Sequence, residues 1–132
     1  IYADPEVPAD TLMLKPLAIV LETALPAVEF MPGTEELYFT SAPALQALRK
    51  FIEVNPTVSV AIIGHDNEDV LEPDRTSRNR ARAVFEYLVS SGVKPNRLSV
   101  EGRGASQRIY THPSTPQEAQ ANRRISIRVT NY

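Results

Sequence analysis

The sequence predicts an α/β domain, an α+β sandwich in which two helices pack on one face of a small mixed sheet, with the order β-α-β-α-β-β. Three patterns predict it. Val58 to Ile63 is a β-branched, apolar run that reads as a strand buried on both faces. Two segments, Ala42–Val54 and about Asp74 to Ser91, carry apolar residues at helical spacing. The closing Ile125-Ser-Ile127-Arg-Val129 alternates with a period of two, as a half-buried strand does.

The elements follow in order. Residues 1–26 hold Pro5, Pro8, Pro16 and Pro26, a density that blocks helices and ladder hydrogen bonds, so a lead-in arm is expected, with a short strand at Leu17–Leu21. The domain proper is expected over 27–132. Ala27-Val-Glu-Phe30 alternates and breaks at Pro32-Gly33, which predicts the first core strand and its turn. Thr40 or Ser41 is placed to cap the first helix, Pro43 sits in its first turn, and Leu45, Leu48, Phe51 and Ile52 form its apolar stripe up to Asn55-Pro56. After the central strand ends at Gly64-His65, a polar loop leads to the second helix, whose stripe is Ala81, Val84, Phe85 and Leu88 and whose left-handed cap is Gly92. Leu98–Glu101 reads as a strand. A loop rich in Pro, Ser and Thr follows to about Ala119, before the final strand.

Composition narrows the function. With 132 residues, 42% hydrophobic and 23% charged, the chain fits one ordinary core, and no run approaches the roughly 18 apolar residues of a membrane span. Its net charge of -2 argues against a surface built for nucleic acid. Arginines nevertheless crowd the second half, from Arg75 to Arg128, so a local anion site fits inside a mildly acidic protein. No cysteine is present, which removes disulfides and thiolate chemistry. The start at Ile1, without a basic n-region, reads as a mature form or a fragment. His65 and His112 lie in unrelated loops, in no metal pair or nucleophile motif, so neither catalysis, a metal nor a cofactor is expected.

Six tags stand in order along the chain: Val60-Ala-Ile-Ile-Gly-His65, Arg80-Ala-Arg-Ala-Val84 with Tyr87-Leu88, Ser91-Gly-Val93, Asn96-Arg-Leu98, Glu101-Gly-Arg-Gly104 and Ala121-Asn-Arg-Arg-Ile125. Each alone is weak; together they resemble the OmpA C-terminal-like family over roughly residues 27–130. That family includes outer-membrane anchors, peptidoglycan-associated lipoproteins and flagellar stator subunits. The resemblance implies a non-catalytic periplasmic module, attached to a membrane through a parent protein or lipid anchor, that binds the diaminopimelate stem peptide of peptidoglycan. An aspartate would hold the ammonium of diaminopimelate and a helix arginine its carboxylate, one fixed charge of each sign for a zwitterionic head.

Carried over residue by residue, the arginine role falls on Arg80. The aspartate role is open. The family's usual Gly-His-Thr-Asp is here Gly64-His65-Asp66-Asn67, so an ungapped reading puts neutral Asn67 against the ammonium, while a shortened loop returns the role to Asp66. Losing that ionic hydrogen bond would weaken binding by roughly one to two decades. The usual asparagine before the second helix is replaced by Pro73-Asp74, and Leu-Ser at the helix start by Thr76-Ser77. Asp74 reads as the helix N-cap before it reads as a ligand contact, and Ser77 as a first-turn residue or a contact. Arg123 and Arg124 should face opposite ways on entering the last strand, and Arg124 is included with the ligand-facing set. A scaffold this altered could instead have lost cell-wall binding and dock onto other envelope proteins.

Overall fold

In the computed structural model the described residues are 22–25, 27–31, 34–67 and 72–131. They build a four-stranded mixed sheet of β1 (Thr23–Ala24), β2 (Ser59–Gly64), β3 (Leu98–Gly102) and β4 (Ile125–Asn131), in the order β1-β4-β2-β3. The helices are α1 (Ala42–Val54), α2 (Pro73–Ser90) and α3 (Pro116–Asn122). β2 runs parallel to β3 across the α2 crossover and antiparallel to β4, which pairs antiparallel with β1.

One face of the sheet carries the core. Val60 and Ile62 on β2 sit opposite Val129 and Ile127 on β4. Together with Ile125 they join Leu45, Leu48 and Ile52 of α1 and Ala81, Val84 and Leu88 of α2 in one buried apolar cluster. Both amphipathic helices therefore cover the same face, as predicted. By strand alternation the intervening positions point the other way. There Ile63 is flanked by Ser126 and Glu101, and Ala61 by Arg128 and Ser99. Arg103 and Arg128 each form ion pairs with both Glu101 and Glu22, lacing this face with charge.

The helix ends follow from local chemistry. α1 occupies the predicted span, but the Ser41 hydroxyl does not cap it. It donates instead to the Glu29 carbonyl (2.7 Å) and accepts from the Glu29 N–H, tying the preceding segment to the helix start. At the far end of α2, Gly92 takes φ +108°, with Val93 N–H bonded to Leu88 O and Gly92 N–H to Val89 O. This paired closure is the one a left-handed glycine permits.

Three expectations are corrected. Residues 27–30 do not form a sheet strand: Phe30 makes one isolated antiparallel bridge to Leu37, and the edge strand is Thr23–Ala24, within the stretch expected as lead-in. The loop expected up to Ala119 contains α3, started by Thr115, whose hydroxyl accepts from Glu118 N–H, with Pro116 as the first helical residue. Asp74 is not the N-cap of α2. Glu72 holds that position at φ 54°, without a capping side chain, because Pro73 opens the helix. The strand expected at Leu17–Leu21 and the turn at Pro32-Gly33 lie outside the described residues.

Candidate functional site

Four segments converge just beyond the C-terminal end of β2. Gly64 allows this, because a Cβ there would fall on the Ser77 carbonyl of α2; the helix lies directly on the strand end. Gly102 of β3 gives a second close approach, to Arg78. The chain then passes through His65, Asp66 and Asn67, pinned by His65 N–H to Arg124 O (2.9 Å) and Asp66 N–H to Gly104 O (2.8 Å).

Asp66 and Arg80 meet here. Arg80 Nη1 donates to Asp66 Oδ2 at 3.1 Å, with the carboxylate fully buried and the arginine 8% exposed. Arg80 also donates from Nε and Nη2 to the Thr34 carbonyl (3.3 and 3.1 Å), and its guanidinium carbon lies 5.5 Å from the centre of the Phe30 ring. The guanidinium is thus held on three sides, and its plane is set by the loop before α1. A guanidinium has five N–H groups. These three bonds leave a second hydrogen on each of Nη1 and Nη2.

The other oxygen of Asp66, Oδ1, accepts from Asn67 N–H at 2.8 Å and has Arg123 Nε at 3.8 Å, too far for a hydrogen bond. Burial pushes the Asp66 carboxyl above its ordinary range, against the opposing pull of the Asn67 N–H and the Arg80 and Arg123 cations. Asn67 is turned away from Arg80. Its Oδ1 accepts from Asn122 Nδ2 (2.7 Å), and the same buried Asn122 bonds both the N–H and the C=O of Tyr110. Geometrically, the partner of Arg80 is therefore Asp66.

The remaining positions divide. Ser77 lies at the site: its hydroxyl donates to Asp74 O (3.0 Å) and accepts from Gly104 N–H (2.9 Å), joining α2 to the loop after β3. Asp74 is exposed in the first turn of α2, where a negative charge favours the helix dipole. Arg124 turns to Gln107 O (2.9 Å), while its neighbour Arg123 approaches Asp66, as alternation expects of adjacent residues. Thr34, Phe30 and Asn122 were not singled out from the sequence. A backbone carbonyl and a stacked ring carry no local signature, whereas Asn122 stood inside the Ala121-to-Ile125 tag.

His65 serves the scaffold behind the site. It is 1% exposed, and its Nε2 lies 3.0 Å from Ser126 Oγ, which itself donates to Glu22. That order makes Nε2 the protonated nitrogen and leaves buried Nδ1 without a partner. Burial, reinforced by the Arg124 cation, lowers the His65 pKa to about 4. Between 6.5 and about 4 the unfolded chain takes up a proton that the folded chain refuses, so this contribution to stability is lost as pH falls through that window. The full loss is about 3 kcal/mol. Urea unfolding of wild type and His65→Gln at pH 7 and 4.5 checks it: wild type should lose more stability on acidification, and parallel losses would contradict the assignment.

Among the described residues no three His, Cys, Asp or Glu side chains form a metal-binding group, and no helix is long and apolar enough to cross a membrane. Comparison with known proteins shows the family and the fold. Outer membrane protein A of Bordetella avium is 38% identical over 55 residues, a stretch that is 42% of this chain and only 28% of that protein. The periplasmic domain of Helicobacter pylori MotB superposes with a TM-score of 0.72 at 19% identity, covering 83% of this chain and 72% of that one. The peptidoglycan-associated lipoprotein of Burkholderia pseudomallei gives 0.71 at 18%, covering 78% and 88%. At such identities the two structures speak for the fold alone. The family model matches residues 29–123, a span that runs from the segment ahead of α1 through Asp66, Arg80 and Asn122 to Arg123, and on that match this chain belongs to the OmpA family.

Proposed function

We propose that this chain is a non-catalytic module of the bacterial periplasm that binds peptidoglycan and so tethers an envelope protein to the cell wall. The ligand group is the diaminopimelate of the stem peptide. Arg80 offers the hydrogens left on its two Nη atoms to the ligand carboxylate, a paired geometry suited to guanidinium. Asp66 Oδ1, with Arg123 Nε 3.8 Å away, takes the ammonium once the ligand displaces the groups that cover this carboxylate. Ser77 and Asn67 keep the two loops in place, and Asp74 and Arg124 lie around them as outer contacts. The observation that carries this reading is the Asp66–Arg80 pair itself, opposite charges 3.1 Å apart and held from separate elements. Membership of the OmpA family supports it, as does the likeness to a protein described as peptidoglycan-associated.

A second reading, docking onto another envelope protein, is favoured by one observation. Asp66 is sealed and Arg80 nearly so, while Phe39 is 78% exposed with its ring 4.9 Å from that of Tyr38. Sedimentation with purified sacculi separates the two. Retention of wild type but not of Arg80→Ala supports the tether, and retention of neither supports docking. Because the Asp66 carboxyl titrates above the ordinary range, retention should weaken on acidification sooner than an exposed carboxylate would allow. Muropeptides recovered after incubation should be unchanged in mass.

A further inference from the structure

Two aromatic rings face solvent at the entry to α1. Phe39 is 78% exposed and Tyr38 38%, with ring centres 4.9 Å apart and planes inclined at 51°. The backbone beneath them is held in place. Tyr38 N–H bonds Glu29 O (2.8 Å), Ser41 N–H bonds Tyr38 O (2.9 Å), and the Ser41 hydroxyl ties to both backbone groups of Glu29. The same segment reaches the charge pair: Thr34 O accepts from Arg80, and Phe30, whose ring lies 5.5 Å from the Arg80 guanidinium carbon, bridges Leu37. Phe39 follows Leu37 by two residues. A bridge of about 5 Å and two steps of about 3.6 Å therefore bring its backbone within roughly 12 Å of that of Phe30.

We propose that Tyr38 and Phe39 stack on a sugar ring of the glycan strand whose stem peptide is held at Asp66 and Arg80. The proposal rests on that reading of the pair and adds a contact outside it. Reach is the first argument. Diaminopimelate is the third residue from muramic acid, so a lactyl group and two residues, one of them γ-linked, span roughly 10–15 Å. That is the scale on which the rings stand off from the arginine. Charge is the second argument. Residues 27–41 hold Glu29, Glu35 and Glu36 and no Lys or Arg, which disfavours an anionic polymer or membrane surface. An N-acetylated sugar amide-linked to a peptide through its lactyl group is neutral. Its C–H face suits the electron-rich face of an aromatic ring. Its hydroxyls and N-acetyl N–H can donate to the Glu29 carboxylate, which already accepts from the Thr40 hydroxyl at 3.2 Å. Two rings of roughly 150–250 Å² each fall short of the roughly 800 Å² that a protein partner covers on each side.

Calorimetric titration of the folded chain with the tripeptide L-Ala-γ-D-Glu-meso-diaminopimelate, alone and attached to N-acetylglucosaminyl-N-acetylmuramic acid, tests it. Wild type should bind the sugar-bearing form about tenfold more tightly. Phe39→Ala should reduce that advantage to about twofold or less and leave the affinity for the bare peptide unchanged, whereas Phe39→Trp should keep it. Melting curves identify a variant that fails to fold; Tyr38→Ala, expected to lose part of the advantage, then carries the test. Equal affinity of wild type for the two ligands, or an advantage that Phe39→Ala keeps, overturns the sugar contact while leaving the charge pair standing. A parallel loss of both ligands in Phe39→Ala also overturns it, because the ring would then act through the segment that holds Arg80. If wild type binds neither ligand, the proposed grip on diaminopimelate fails and the sugar contact falls with it.

Discussion

Arg80→Ala is expected to abolish measurable binding of diaminopimelate, by a factor of at least about one hundred, and to destabilise the chain by about 3–5 kcal/mol. Two different costs are joined here. The binding loss comes from removing the side chain that donates to Asp66 and has two further hydrogens to offer. The stability loss comes from Asp66, which has no exposed surface and would be left as a buried charge without its closest cation. Asp66→Asn added to Arg80→Ala separates them: it removes the uncompensated charge and should recover part of the stability, with no recovery of binding. Urea denaturation and calorimetry read the two quantities independently. A single Arg80→Ala variant as stable as wild type would mean that the carboxylate finds another partner, with Arg123 the nearest.

Gly64→Ala is expected to cost about 3 kcal/mol or more, and to lower the melting temperature by roughly 10 °C. One methyl group has this effect because its space is already filled by backbone. The added Cβ would meet the carbonyl oxygen, carbonyl carbon and Cα of Ser77, none of which can rotate aside. α2 would have to lift off β2. Ser77 and Arg80 would be carried away from Gly104 and Asp66, so ligand affinity should fall along with stability. Gly92→Ala is the contrast. Nothing lies within 4 Å of its Cβ position, so that cost comes only from the left-handed backbone and should be about 1 kcal/mol. Melting curves that rank these substitutions in reverse would show that α2 does not rest on the strand end as described.

Much of the architecture was legible because local chemistry and tertiary packing agree. Ala42–Val54 is bounded by Pro43 and Asn55-Pro56 and striped on one face, so its limits were readable to the residue. Val58 to Ile63 could be read because a β-branched run has few alternatives. Thr23–Ala24 could not. A two-residue strand carries no period, and its existence depends on β4, about a hundred residues away. α3 was hidden in a loop composition, although Thr115-Pro-Gln-Glu118 spells an N-cap, a first-turn proline and a glutamate that reaches back to the Ser114 N–H ahead of the cap, a signal readable in principle.

The site was half legible. Arg80 came from the resemblance, and its burial against Phe30 and Thr34 depends on a segment 46 residues earlier, which spacing alone does not reveal. Between Asp66 and Asn67 the sequence left an open choice. In the structure Asp66 pairs with Arg80, and the two residues are held by hydrogen bonds from distant parts of the chain: Gly104 O takes the Asp66 N–H, and Asn122 takes the Asn67 side chain.

The central claim, that Asp66 and Arg80 together hold a zwitterionic amino-acid head, is tested most directly by titrating the isotopically labelled chain with meso-diaminopimelate and following the Asp66 amide and the Arg80 Nε–H signals by NMR. Saturable shifts at both, lost in Arg80→Ala and weakened in acid, are the predicted result. Signals that stay fixed as ligand is added, or that shift equally when Arg80 is alanine, would contradict it.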